Sequence, residues 1–213
     1  MPTRDLTIAM VGSGGDGIIT MGDMLAQAGA AVGLHVMKVE AYGPQIRGGE
    51  SSCTVRISAD PIFAQGDQVQ VLVVFNWADF AQFRSEIVTA LDAVVLYEAT
   101  DETPRESIDL GSIESVRWVP VPFIELAKTS AGTTLAKNIV TLGILGELFN
   151  LPKEPVERAI RGKFTKKKAE VLEANLKGYS AGIEYAKTIE EHASGKRLQY
   201  TPGEPMLLMS GNE

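Results

Sequence analysis

The stretch Gly12-Ser13-Gly14-Gly15-Asp16-Gly17 limits what this chain can fold into more than any other. It has the spacing G-x-G-x-x-G. It stands between an apolar run, Leu6 to Val11, and apolar residues at helical spacing, Ile18, Met21, Leu25, Ala28 and Val32. Glycines suit such a place because the chain must turn sharply, approach an anionic group with its backbone, and pack the new helix against the strand just left. The free N–H groups at the helix start then face a ligand, with the helix dipole behind them. The same glycines also suit a turn that packs tightly and binds nothing.

Gly33 stands where this helix should end, and His35 to Glu40 reads as a second strand. The first forty residues are therefore expected to form a β-α-β unit, whose right-handed crossover implies parallel strands. A turn-rich loop follows, Ala41 to Glu50, with Arg47 beside Gly48 and Gly49. Ser51 to Ser58 alternates Cys53, Val55 and Ile57 with Ser52, Thr54 and Arg56, which predicts a strand with one polar side. Val69 to Phe75 is a continuous apolar run, as in strands buried on both faces, and Asn76 is placed to cap a helix over Trp77 to Val88. Ala93 to Tyr97 repeats the buried-strand pattern, and Ser115 to Val119 is a short strand closed by Pro120 and Pro122.

Beyond Pro122 the period becomes helical. Candidate helices cover Phe123 to Lys128 and Thr134 to Phe149, where Gly143 and Gly146 permit close approach by a neighbour. Another opens between Pro152 and Pro155, and a long one runs from Lys166 to Ala193, softly broken at Gly178 and Gly182. Lys196 to Glu213 reads as an extended tail with Pro202, Pro205 and an apolar patch at Met206 to Met209. The expected organisation is one α/β domain over 1–195 with a helical C-terminal part, followed by a tail or linker over 196–213.

At 213 residues the chain can bury a full core without a second domain. A formal net charge of -7 argues against nucleic-acid binding and against a membrane-surface role. The run Lys166-Lys167-Lys168 reads as a solvated helix face. No apolar stretch is long enough to cross a bilayer and no signal-peptide h-region precedes the first strand, so a cytoplasmic location is expected. The single cysteine, Cys53, allows neither an internal disulfide nor a four-thiolate iron–sulfur site, so any cluster would belong to a partner. His35 and His192 are too few and too far apart for a zinc ligand set. No catalytic or metal-ligating residue is assigned.

Three chemistries compete for the glycine turn. Dinucleotide binding has Glu40 at the end of the second strand, about where the ribose-binding acid of an NAD site falls, although the long Tyr42 to Glu50 loop replaces the tight turn expected there. Thiamine diphosphate is suggested by the triplet Gly15-Asp16-Gly17. That pattern also needs an asparagine some thirty residues later, and none lies between Gly17 and Asn76. The third comes by resemblance. The turn at Gly12 to Gly17, with Tyr42-Gly43-Pro44-Gln45-Ile46-Arg47-Gly48-Gly49 leading into Val55-Arg56-Ile57-Ser58, resembles the gamma subunit or domain of the 2-oxoacid:ferredoxin oxidoreductases. The likeness continues through Val69 to Phe75, Lys137-Asn138, Leu142-Gly143 and Ala174-Asn175; Asp16 departs from it, since the family more often has glutamine there.

The resemblance implies a Rossmann-like, three-layer α/β domain with a mostly parallel sheet. It implies one component of a hetero-oligomer that converts a 2-oxoacid and coenzyme A to an acyl-CoA and carbon dioxide, passing electrons to ferredoxin. Thiamine diphosphate with magnesium, and the iron–sulfur clusters, would sit on alpha, beta and ferredoxin-like partner subunits, and this chain would hold no cofactor alone. A diphosphate-bearing ligand such as coenzyme A would suit Gly12, Ser13, Gly14, Gly15, Asp16 and Gly17 together with Arg47, Gly48 and Gly49. Arg47 equally suits a carboxylate on a neighbouring subunit. A self-contained NAD-binding protein and a purely structural interaction subunit remain alternatives. The closing Met209-Ser210-Gly211-Asn212-Glu213 resembles the opening of the family's alpha domain, so the tail is expected to be either a gamma–alpha linker or an arm on another subunit.

Overall fold

The computed structural model describes residues 2–43, 49–110, 116–193 and 196–209. Six strands form one sheet: β1 (Asp5–Gly12), β2 (His35–Tyr42), β3 (Ser51–Ser58), β4 (Val69–Val74), β5 (Thr89–Glu98) and β6 (Arg117–Val121), in the order β2-β3-β1-β4-β5-β6. The β1–β4, β4–β5 and β5–β6 ladders are parallel. β3 is the exception, antiparallel to both β1 and β2. The expected β-α-β unit holds in order and direction, β1 and β2 running the same way, with β3 lying between them.

Period-two alternation sends Leu6, Ile8 and Met10 of β1, with Cys53, Val55 and Ile57 of β3, to one face. Five helices cover that face: α1 (Ile18–Ala30), α3 (Phe123–Ala131), α4 (Lys137–Phe149), α5 (Lys153–Phe164) and α6 (Ala169–Thr188). Ala9 and Val11 point the other way, to a smaller core built by α2 (Trp77–Phe83) and the segment bearing Ile108 and Leu110. The result is a three-layer α/β domain with a mostly parallel sheet. No helix among the described residues is long and apolar enough to cross a membrane.

Several elements depart from the sequence reading. α2 ends at Phe83, and β5 starts at Thr89 instead of Ala93. Pro120 lies inside β6, which as a border strand has one side free of ladder bonds and so tolerates a missing N–H. Lys166 to Lys168 form the turn between α5 and α6, not a helix face. α6 runs through Gly178 and Gly182 unbroken, because both glycines face neighbouring helices. A Cβ on Gly182 would lie 2.0 Å from the Val140 carbonyl oxygen of α4, and one on Gly143 of α4 would lie 2.2 Å from the Tyr179 carbonyl oxygen. Beyond α6 comes a 3-10 turn, Glu190–Ala193, and residues 196–209 are then extended and held to the domain. Leu198 is fully buried, bridges to Thr3 and donates its N–H to the Phe149 carbonyl; Gly203 and Met206 donate to Val32 and Ala30.

Candidate functional site

β1 delivers Gly12 to the carboxyl edge of the sheet, between α1 on one face and α2 on the other, the crevice where open α/β sheets take ligands. The turn that follows is tied from three directions. Asp16 reaches back, its Oδ2 accepting the Ser13 N–H at 3.0 Å, while the Asp16 N–H donates to the Ser13 carbonyl at 3.0 Å. Its Oδ1 pairs at 2.8 Å with Lys137 Nζ, from the start of α4, and that ammonium lies 4.8 Å from the Phe75 ring centre. Ser13 Oγ donates to Asp79 Oδ2, in the first turn of α2, at 2.6 Å.

Gly17 is required on two counts. Its φ of 78° is left-handed, and a Cβ would lie 2.2 Å from Asn138 Nδ2. Lys137 and Asn138, adjacent on α4, thus brace the turn from outside. Their adjacency near the start of a predicted helix was visible in the sequence, but nothing local pointed them at residues Asp16 and Gly17.

On its open side the turn borders a cleft of about 440 Å³. Gly14, Gly15 and the first turn of α1 form one wall, and Tyr42, Gly49 and Glu50 the other. Ile18, Ile19 and Thr20 line it, and their N–H groups meet no acceptor among the described residues. The fold therefore brings Gly14, Gly15, Gly17 and Gly49 to one cleft. Gly12, Ser13 and Asp16 stand behind it as the turn's own support, and Arg47 and Gly48 lie outside the described residues. Such a cleft, floored by helix-start donors, can hold a phosphate or another anion without a lysine or arginine in direct contact.

The dinucleotide alternative loses its acid. With β3 interposed, Glu40 is two strand spacings, roughly 10 Å, from β1. Its carboxylate is engaged by Lys38 and Tyr42, whose hydrogen bonds hold its pKa below the ordinary value. Lys38 also pairs with Asp23. Across the ladder from Glu40, Cys53 is fully buried, and that burial pushes its thiol up to about 12.

The family model described as pyruvate ferredoxin/flavodoxin oxidoreductase matches residues 7–185. Ketoisovalerate oxidoreductase subunit VorA of Methanothermobacter marburgensis is 34% identical over 187 residues, which cover 86% of this chain and 37% of VorA. The 2-oxoglutarate synthase subunit KorC of Archaeoglobus fulgidus is 28% identical, covering 87% of this chain and 90% of KorC. Among solved structures, the 2-oxoglutarate:ferredoxin oxidoreductase of Magnetococcus marinus, with 2-oxoglutarate, coenzyme A and succinyl-CoA bound, superposes with a TM-score of 0.78 at 31% identity, covering 96% of this chain and 34% of that one. The gamma subunit of a keto/oxoacid ferredoxin oxidoreductase from Geobacter sulfurreducens gives 0.69 at 25% identity, covering 87% of this chain and 98% of that one. The chain thus spans about a third of VorA and of the Magnetococcus chain, and nearly all of the Geobacter subunit. By sequence and by fold it belongs to the pyruvate ferredoxin/flavodoxin oxidoreductase family, as a domain of the gamma-subunit type.

Proposed function

We propose that this chain is the gamma component of a multi-subunit, thiamine-dependent 2-oxoacid oxidoreductase, and that its glycine turn receives the diphosphate of coenzyme A. In this reading the assembly converts a 2-oxoacid and coenzyme A to an acyl-CoA and carbon dioxide, with two electrons leaving for ferredoxin. Thiamine diphosphate, its magnesium and the iron–sulfur clusters are assigned to alpha, beta and ferredoxin-like partners. No residue here is assigned to a bond-making step, and the chain's part is to hold coenzyme A and to dock.

The observation that supports this is the row of N–H groups at Ile18, Ile19 and Thr20, residues that line the cleft together with Gly49 and Glu50. A diphosphate there would gain charge-assisted hydrogen bonds from the backbone and a guanidinium from Arg47. Two measurements test the reading. The pure chain should be colourless and inactive in oxoacid-dependent dye reduction; brown colour or turnover without other subunits would overturn it. In the assembled complex, Arg47→Ala should raise the KM for coenzyme A about tenfold, the loss of about 1.4 kcal/mol of binding, with the oxoacid KM unchanged. An unaltered complex would leave the loop a packing role only.

A further inference from the structure

Among the described residues β2 is a border strand, hydrogen-bonded on one side to β3 and paired with no other strand. None of its eight residues is buried, whereas six of the eight in β3 beside it are. Met206 to Met209 run alongside it, Leu208 and Met209 flanking a groove of about 660 Å³ with Met37, Lys38 and Glu40. Among the described residues, this stretch bonds its backbone to Ala30 of α1 and not to β2. Of the eleven large apolar side chains exposed among the described residues, six gather here: Val39, Tyr42 and Met206 through Met209. An unpaired strand border flanked by exposed apolar groups is a template for another strand.

The charges on β2 say which strand fits. Lys38 and Glu40 share the α1 face, with Val39 between them on the other. Two copies related by a two-fold axis perpendicular to the sheet pair antiparallel, with the residue on the axis opposite itself. An axis at Lys38 opposes two ammonium groups, and an axis at Glu40 opposes two carboxylates. Only an axis at Val39 sets each Lys38 against the Glu40 of the second copy. The same register places Met37 against Ala41, Val36 against Tyr42 and Val39 against Val39, apolar against apolar, with His35 at the end opposite Gly43. We propose that β2 pairs antiparallel with β2 of a second copy about a two-fold axis at Val39, joining two sheets into one. The exposed tail residues of each copy then flank the seam and are covered with it.

Light scattering on the full chain at about 50 μM should give twice its 22.9 kDa. Directly opposed residues in an antiparallel pair have Cα atoms about 4.5–5.5 Å apart, within disulfide reach. Val39→Cys should therefore oxidise to a covalent dimer, and the native Cys53, fully buried, does not compete. Met37→Cys alone and Ala41→Cys alone should not cross-link, being offset by roughly 13 Å from their own copies; the two mixed should. Glu40→Lys should weaken the dimer at least tenfold, and adding Lys38→Glu should restore it. A monomer at every concentration, a dimer that Val39→Cys fails to trap, or trapping as fast at Met37 alone would each overturn the proposal. So would cross-linking of Val39→Cys to a different subunit in the assembled complex.

Discussion

Asp16 puts a negative charge beside the N–H donors of the glycine turn, and Lys137 offsets it at 2.8 Å. Asp16→Gln keeps an acceptor for the Ser13 N–H and removes the negative charge behind the donors, which on the proposed function favours an anion in the cleft. The expected result is a KM for coenzyme A lowered several-fold to tenfold, about 1 kcal/mol, with little change in thermal midpoint; a raised KM would show that the carboxylate itself is needed. At Cys53 burial dominates. With its thiol pushed up to about 12, it should stay unreacted with thiol reagents at pH 8 until denaturant is added. The glycines were legible because each answers a local demand, a turn or a close approach. The grip of Lys137 on Asp16 was not, because it joins residues far apart in the chain. Glu40 misled for the same reason: its rank on the second strand was readable, but the strand that separates it from β1 was not.

Among the elements, α4 and α6 carry the packing lesson. A glycine in a helical pattern reads as a weak point by propensity, yet Gly182 is where α6 comes closest to α4, backbone against backbone. Gly178, one turn earlier, has only ordinary van der Waals neighbours at 3.5 Å and beyond. The two should therefore respond oppositely in urea unfolding. Gly178→Ala should gain up to about 1 kcal/mol from helix propensity. Gly182→Ala should lose at least about 2 kcal/mol by forcing the helices apart. Equal effects would mean that the crossing has slack. Strands were found more surely than helix ends: the run Val69 to Phe75 was plain in the sequence, whereas the early end of α2 depends on where Phe83 and Ile87 meet the smaller core.

For the molecule as a whole, acid should be the sensitive direction. Glu40 is held below its ordinary pKa by Lys38 and Tyr42, and Asp92 by the hydrogen bond from Lys196. Asp101 is lowered as well: burial pushes it up, but hydrogen bonds from Thr103 and the Trp77 N–H outweigh that. Such carboxylates contribute stability above about pH 4 that is lost as pH falls through their folded values. Unfolding free energy should hold level from pH 7 to about pH 5 and drop below pH 4, with a shallower drop in Asp92→Asn. The layered α/β class and nearly every strand followed from local pattern, but the order of strands did not, since pairing is settled by partners distant in sequence. That order governs how the chain comes together during synthesis. With β3 between β1 and β2, and Asp5 matched to Ser58, the first strand, helix and second strand have no partners for their ladders while they leave the ribosome. A fragment ending at Tyr42 should show no sheet signal by circular dichroism, because each of its strands still awaits the same neighbour. β3 thus acts as a clock on translation: the ladders that join β1 and β2 close only when residue 58 has been delivered, and the braces of the glycine turn at Asp79, Lys137 and Asn138 follow later still.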